Sequence, residues 1–135
     1  MTTKEILQKY KRIAVVGLSS DPGRASYGVS RYMQNSGYAI TPVNPNEVTV
    51  LGEKAYSSLD EVPGPIEIVD IFRRPEFVPD IVEAAIRRDA KVIWMQLGVV
   101  HEEAAQRARA AGLEVVMDIC ILQDHMKYFG FGRKA

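Results

Sequence analysis

The stretch Ile13-Ala14-Val15-Val16-Gly17-Leu18-Ser19-Ser20-Asp21-Pro22-Gly23-Arg24 settles the architecture. Its first four residues are apolar without interruption, as in a strand covered by helices on both faces. Gly17 then lets the backbone turn, and two serines, an Asp-Pro step and Gly23 make a loop. Behind the loop a helical spacing begins over 27–36. Val29, Tyr32 and Met33 share one face there, Ser26 is read as the N-cap and Gly37 as the stop. Strand, glycine loop and helix together form the opening unit of a parallel α/β sheet.

The alternation repeats outward from this unit. Further strands are expected at 39–43, 66–72, 92–95 and 114–117. Pro75 stands where a first helical position belongs, followed by the buried stripe Phe77, Val78, Ile81, Val82, Ala85 and Ile86. His101-Glu102-Glu103 opens an alanine-rich helix that stops at Gly112. Thr3 is read as the cap of a short leading helix over 4–10, and a last helix is expected over 119–128. The segment 47–62 breaks the rhythm and reads as a short edge strand or hairpin around Gly52. The pattern predicts α/β structure: a single doubly wound, Rossmann-like domain spanning 1–135, ordered from about 3 to 128, with 130–135 as a loose tail. Its mainly parallel sheet should have five or six strands flanked by helices.

Bulk properties narrow the function classes. A chain of 135 residues can bury about two-thirds of its unfolded surface without a staple. Seventeen basic residues balance 17 acidic ones, which argues against a nucleic-acid-coating protein. No run approaches the roughly 20 apolar residues needed to span a bilayer. The one cysteine, Cys120, has no internal partner for a disulfide, and a cytoplasmic setting is expected.

In open α/β sheets ligands bind beyond the carboxyl ends of the strands. The residues that follow the strands form a coherent polar set here: Gly17 to Arg24, then Asn44-Pro45-Asn46, then Arg73-Arg74-Pro75, then Gln96-Leu97-Gly98. A glycine turn before a helix N-terminus suits an anion, Ser19 and Ser20 add hydroxyls, and Arg24 adds a fork that matches phosphate. Arg73 and Arg74 precede a helix start, where cations oppose the dipole unless an anion stands there. The dinucleotide fingerprint fails, because Ser19 replaces its second glycine and Val43-Asn44-Pro45-Asn46 carries no carboxylate for the ribose. A Walker lysine is also missing. A phosphate-rich ligand other than NAD fits these features better.

Gly17-Leu18-Ser19-Ser20, Ser26-Tyr27-Gly28-Val29, Val43-Asn44-Pro45-Asn46, Phe72-Arg73-Arg74-Pro75 and Trp94-Met95-Gln96-Leu97-Gly98, in this order, resemble the small stand-alone CoA-binding proteins. That family is similar to the CoA-binding domain of the succinyl-CoA synthetase alpha subunit. The resemblance implies that Ser19, Ser20, Asp21 and Pro22 wrap the phosphates, with Gly17 making the turn. It implies that Val43, Asn44, Pro45 and Asn46 flank the adenosine end, and that Phe72, Arg73, Arg74 and Pro75 line the pantetheine path. Leu18, Tyr27, Gly28, Gln96 and Gly98 complete the expected cofactor-binding set, and Arg24 is assigned on charge to the 3′-phosphate or the diphosphate. The synthetase's histidine-bearing second domain has no counterpart in this sequence, so the resemblance carries coenzyme A or acyl-CoA binding and withholds thioester synthesis.

No catalytic or metal-ligating residue is assigned. Ser19, His101 and Asp118 lack the spacing and nucleophile elbow of a triad, and two histidines with one cysteine do not make a metal site. His101 reads as a helix-start residue, and His125 as surface or interface. Asp70, inside an apolar strand, reads as a buried carboxyl held by a structural hydrogen bond. Cys120 lies on the ligand rim, where thiol exchange with CoA is chemically available. Trp94, Met95, Met126, Tyr128 and Phe129 suit a core or a dimer face. The expected activity is a non-catalytic carrier, sensor or regulatory module. It has a small-molecule CoA ligand, no nucleic acid or membrane, and room for a protein partner or homodimer. The alternatives are a small acyl-CoA-handling enzyme or partner-dependent synthetase component, and an NAD(H)-binding redox sensor.

Overall fold

Alternate residues of the central strands pack into two separate cores. Ala14, Val16, Val69, Ile71, Ile93 and Met95 point to one face of the sheet, and Ile13, Val15, Ile68, Val92 and Trp94 to the other. This period of two, apolar on both sides, is why the strand runs read as continuous.

The computed structural model describes residues 1–134. In chain order the elements are α1 (Thr3–Lys9), β1 (Arg12–Val16), α2 (Ala25–Asn35), β2 (Ala39–Val43), β3 (Thr49–Val50), β4 (Glu53–Lys54), β5 (Ile68–Ile71), α3 (Val78–Arg87), β6 (Val92–Met95), α4 (Glu102–Ala110), β7 (Glu114–Val116) and α5 (Ile121–Phe129). Five strands form one parallel sheet in the order β2-β1-β5-β6-β7. The 47–62 segment supplies a separate antiparallel hairpin, β3 with β4. Helices α1, α2 and α5 cover one face, and α3 and α4 the other. The doubly wound α/β fold is therefore as expected. Strand order reverses between β1 and β5, and the crevice of such a fold opens above that switch point.

The helix starts correct the sequence reading in two places. Thr2, not Thr3, caps α1. Its hydroxyl accepts from Glu5 N at 3.1 Å while the Glu5 carboxylate accepts from Thr2 N at 2.8 Å, a reciprocal capping box. Ser26 does not cap α2. The N-cap is Arg24, and Ser26 sits buried in the first turn with its hydroxyl accepting from Ser19 N at 3.1 Å. His101 does cap α4, its Nδ1 accepting from Ala104 N at 3.0 Å.

His125 is also corrected. It is fully buried in the helical layer, with Nδ1 2.9 Å from the Tyr32 hydroxyl, and burial pushes its pKa down. Where a loose tail is expected, Gly132 N donates to the same Tyr32 hydroxyl at 3.1 Å and Phe131 meets the Tyr32 ring edge-on. Ala135 lies outside the described residues. Trp94 and Met95 belong to the core, and Trp94 Nε1 donates to Ile119 O at 2.8 Å.

Candidate functional site

A cavity of about 850 Å³ lies above the carboxyl ends of the strands. That volume is in the range of small-molecule sites. The β1–α2 segment contributes Gly17, Arg24, Ala25, Ser26 and Val29 to its wall, and the turn after β2 contributes Asn44, Pro45 and Asn46. Phe72, Arg73, Arg74, Pro75 and Phe77 follow β5, and Gln96, Leu97, Gly98 and Val99 follow β6. Cys120 and Gln123 close the wall from α5.

Gly17 is what lets the first loop leave the strand. Its φ is +90°, and a Cβ built there would stand 2.4 Å from Phe72 O. The backbones after β1 and β5 thus touch where sheet order reverses, and only glycine fits between them.

The electrostatics of the wall are one-sided. Arg24, Arg73 and Arg74 face the cavity, and among the described residues no carboxylate lines it. Arg73 also lies 4.2 Å from the centroid of the Phe77 ring, and Arg74 pairs at 3.4 Å with exposed Glu76. Helices α2, α3 and α5 begin at this wall, and none is capped by the side chain of its own N-cap residue. The two helices that start elsewhere, α1 and α4, are both capped. Helix N-termini beside guanidinium groups make an environment for anionic oxygen.

At the floor, Gln96 is 3% exposed and bridges the sheet to α5. Its Nε2 donates to Asp70 Oδ1 and its Oε1 accepts from Ile121 N. Asp70 is wholly buried, and this desolvation pushes its carboxyl up to about 7 against the opposing hydrogen bond from Gln96.

The cavity gathers Gly17, Arg24, Asn44, Pro45, Asn46, Phe72, Arg73, Arg74, Pro75, Gln96, Gly98 and Cys120 from the expected set. The rest of that set lies off its wall. Leu18 and Val43 are buried in the two cores, and Val43 O accepts from Gly17 N at 2.8 Å. Ser19, Ser20, Asp21 and Pro22 form the outer loop, whose amides are engaged within the protein. Asp21 N donates to Ser19 Oγ, Gly23 N to Asp21 Oδ1, and Ser20 N to Glu47 Oε2 at 2.8 Å. Tyr27 and Gly28 lie in α2 outside the wall. Ala25, Phe77, Val99 and Gln123 line the wall without having been singled out as site residues, and Ser26, Val29 and Leu97 stood in the quoted motifs but outside the assigned binding set. Sequence reasoning also missed Glu47, one residue beyond the run that was searched for an acid.

A family profile described as "CoA binding domain" matches residues 11–126. The chain belongs to the CoA-binding domain family.

One relative, Uncharacterized protein YneT of Bacillus subtilis (strain 168), is 53% identical to this CoA-binding domain over 122 residues, 90% of each chain. The alpha subunit of acetate–CoA ligase [ADP-forming] II from Pyrococcus furiosus is 39% identical over 120 residues. That match covers 81% of this chain but 26% of the ligase subunit, so the CoA-binding domain spans about a quarter of that relative's length. A hypothetical protein from Pyrococcus horikoshii OT3 has a similar solved structure. Its TM-score is 0.92 at 39% identity, over 96% of this chain and 94% of the other. The resemblance read from the five motifs is thereby borne out.

Two further absences hold among the described residues. No helix is long and apolar enough to cross a membrane, and no group of three or more His, Cys, Asp or Glu residues could hold a metal ion.

Proposed function

We propose that this domain binds coenzyme A or an acyl-CoA in the cavity above β1 and β5, and that it serves as a non-catalytic carrier, sensor or regulatory module of the cytoplasm. One observation supports this most: three helix starts and three arginines share a wall that, among the described residues, no carboxylate lines. Coenzyme A carries a diphosphate and a 3′-phosphate, so it brings several anionic groups to one site. In this reading Arg24 meets the 3′-phosphate or the diphosphate, Arg73 and Arg74 meet the remaining charge, and Asn44–Asn46 flank the nucleotide. Gln96 and Gly98 lie along the floor. Cys120 adds a thiol to the same wall. Its thiolate attacking oxidised CoA would give a mixed disulfide and release one CoA thiol. Intact mass would show that adduct, removable by reductant.

Calorimetric titration with CoA, dephospho-CoA and NADH tests the assignment. CoA is expected to bind saturably and more tightly than dephospho-CoA. Arg24→Ala is expected to erase that preference, with a loss of about tenfold in CoA affinity. An unchanged preference in the variant would move the 3′-phosphate to another cation. NADH competes only under the dinucleotide reading, to which Glu47 beside the first loop lends some support. Turnover of acyl-CoA or nucleotide by the pure chain, alone or with a partner protein, would favour the enzymatic alternative suggested by the ligase subunits.

A further inference from the structure

The β1–α2 loop has both ends in the cavity wall, at Gly17 and at Arg24, while its middle is held away. What holds it is a pair of bonds from the turn after β2. Asn44 Nδ2 donates to Leu18 O at 3.1 Å, and Ser20 N donates to the Glu47 carboxylate at 2.8 Å. The other hydrogen bonds of this loop's amides go to neutral acceptors: Gly17 N to a carbonyl, Ser19 N and Asp21 N to hydroxyls, and Arg24 N to a carbonyl. Gly23 N is the exception, and its acceptor, Asp21, belongs to the loop itself. Ser20 therefore has its amide on an anion delivered from a different segment of the chain. Glu47 directly follows Asn46, a wall residue, so its bond to Ser20 N ties the loop to the segment that supplies this part of the wall.

We infer that Glu47 is an internal anion that holds the first loop when the cavity is empty and competes with the ligand's phosphate oxygens for it. The inference rests on the phosphate-binding reading above. A phosphate group that reaches for Ser20 N meets a like charge on Glu47 and an amide already engaged. Binding therefore requires the Glu47 carboxylate to let go of Ser20 N, whose bond passes to a phosphate oxygen. A charge-assisted hydrogen bond is exchanged for another of the same kind, and the repulsion is relieved as Glu47 turns to water. The residue sets how tightly the site takes an anion without being part of the wall.

The test compares CoA affinity of the full chain with that of Glu47→Gln and Glu47→Ala, using thermal unfolding to check that each variant folds. Both variants are expected to bind CoA more tightly, the alanine variant by about tenfold and the glutamine variant by less, since glutamine keeps a neutral acceptor for Ser20 N. Unchanged affinity in both variants, with the wild type binding normally, would overturn the role given to Glu47 alone. Weaker binding would also overturn it and would make Glu47 an acceptor for ligand hydroxyls. If neither wild type nor variants bind CoA, the functional reading fails and the competition falls with it. Should Glu47→Ala not fold, the glutamine variant decides by the same criteria.

Discussion

Asp70→Asn is expected to make the chain about 2 to 4 kcal/mol more stable at pH 8 while changing its stability at pH 4 by less than about 1 kcal/mol. Asp70 lies in β5 between Val15 of β1 and Trp94 of β6, in the middle of the sheet and wholly buried. Removing water penalises its charged form, so its pKa rises from the ordinary 3.8 to about 7, with the Gln96 amide pulling the other way. The folded chain thus keeps a proton that the unfolded chain gives up between those two values. Stability from this group is complete below about pH 4 and lost as pH climbs through about 7. A gap of about three pH units corresponds to about 4 kcal/mol, the upper end of the expected effect. Asparagine keeps the oxygen that accepts from Gln96 Nε2 and carries no charge to bury. Urea unfolding of both proteins at pH 4, 6 and 8 measures this. Parallel stability profiles would mean that Asp70 titrates as it does in water.

Gly17→Ala is expected to cost at least about 3 kcal/mol and to abolish CoA binding in whatever fraction stays folded. Two penalties combine. A φ of +90° is strained for any L side chain, and the added carbon would lie 2.4 Å from Phe72 O, a backbone atom in the middle of the sheet. Relief requires β1 and β5 to part at their carboxyl ends, and the cavity opens there. Gly28→Ala is the matched control, because a Cβ at that position in α2 meets nothing within 4 Å. Alanine there is expected to add up to about 1 kcal/mol through helix propensity and to leave CoA affinity unchanged. Thermal melts of the two variants should move in opposite directions.

The sheet was legible because its strands are short and rich in β-branched residues, and because β1, β5 and β6 are buried on both sides. The hairpin at 47–62 was legible as a break in rhythm around Gly52, with a short edge strand as the alternative. The errors sit where a side chain chooses between two local partners. Ser26 looks like a cap in sequence, but its hydroxyl serves the amide of Ser19, seven residues earlier. Thr2 wins over Thr3 because Glu5 is three residues away and can return the bond. His125 reads as a surface residue until Tyr32, 93 residues distant, supplies its partner. The cavity followed from one rule, that ligands lie beyond the strand ends, so residues placed there by turns were found. Residues placed by helix geometry, such as Val29 and Gln123, were not. Glu47 escaped because its role depends on a fold-back across two loops, which no spacing encodes.

A crystal structure of the chain with bound coenzyme A tests the central claim most directly. The expected result is phosphate density between Arg24, Arg73 and the first turn of α2, with the nucleotide beside Asn44–Asn46 and the pantetheine running toward Gln96 and Cys120. Coenzyme A bound elsewhere on the chain, with this cavity holding only water, would contradict it.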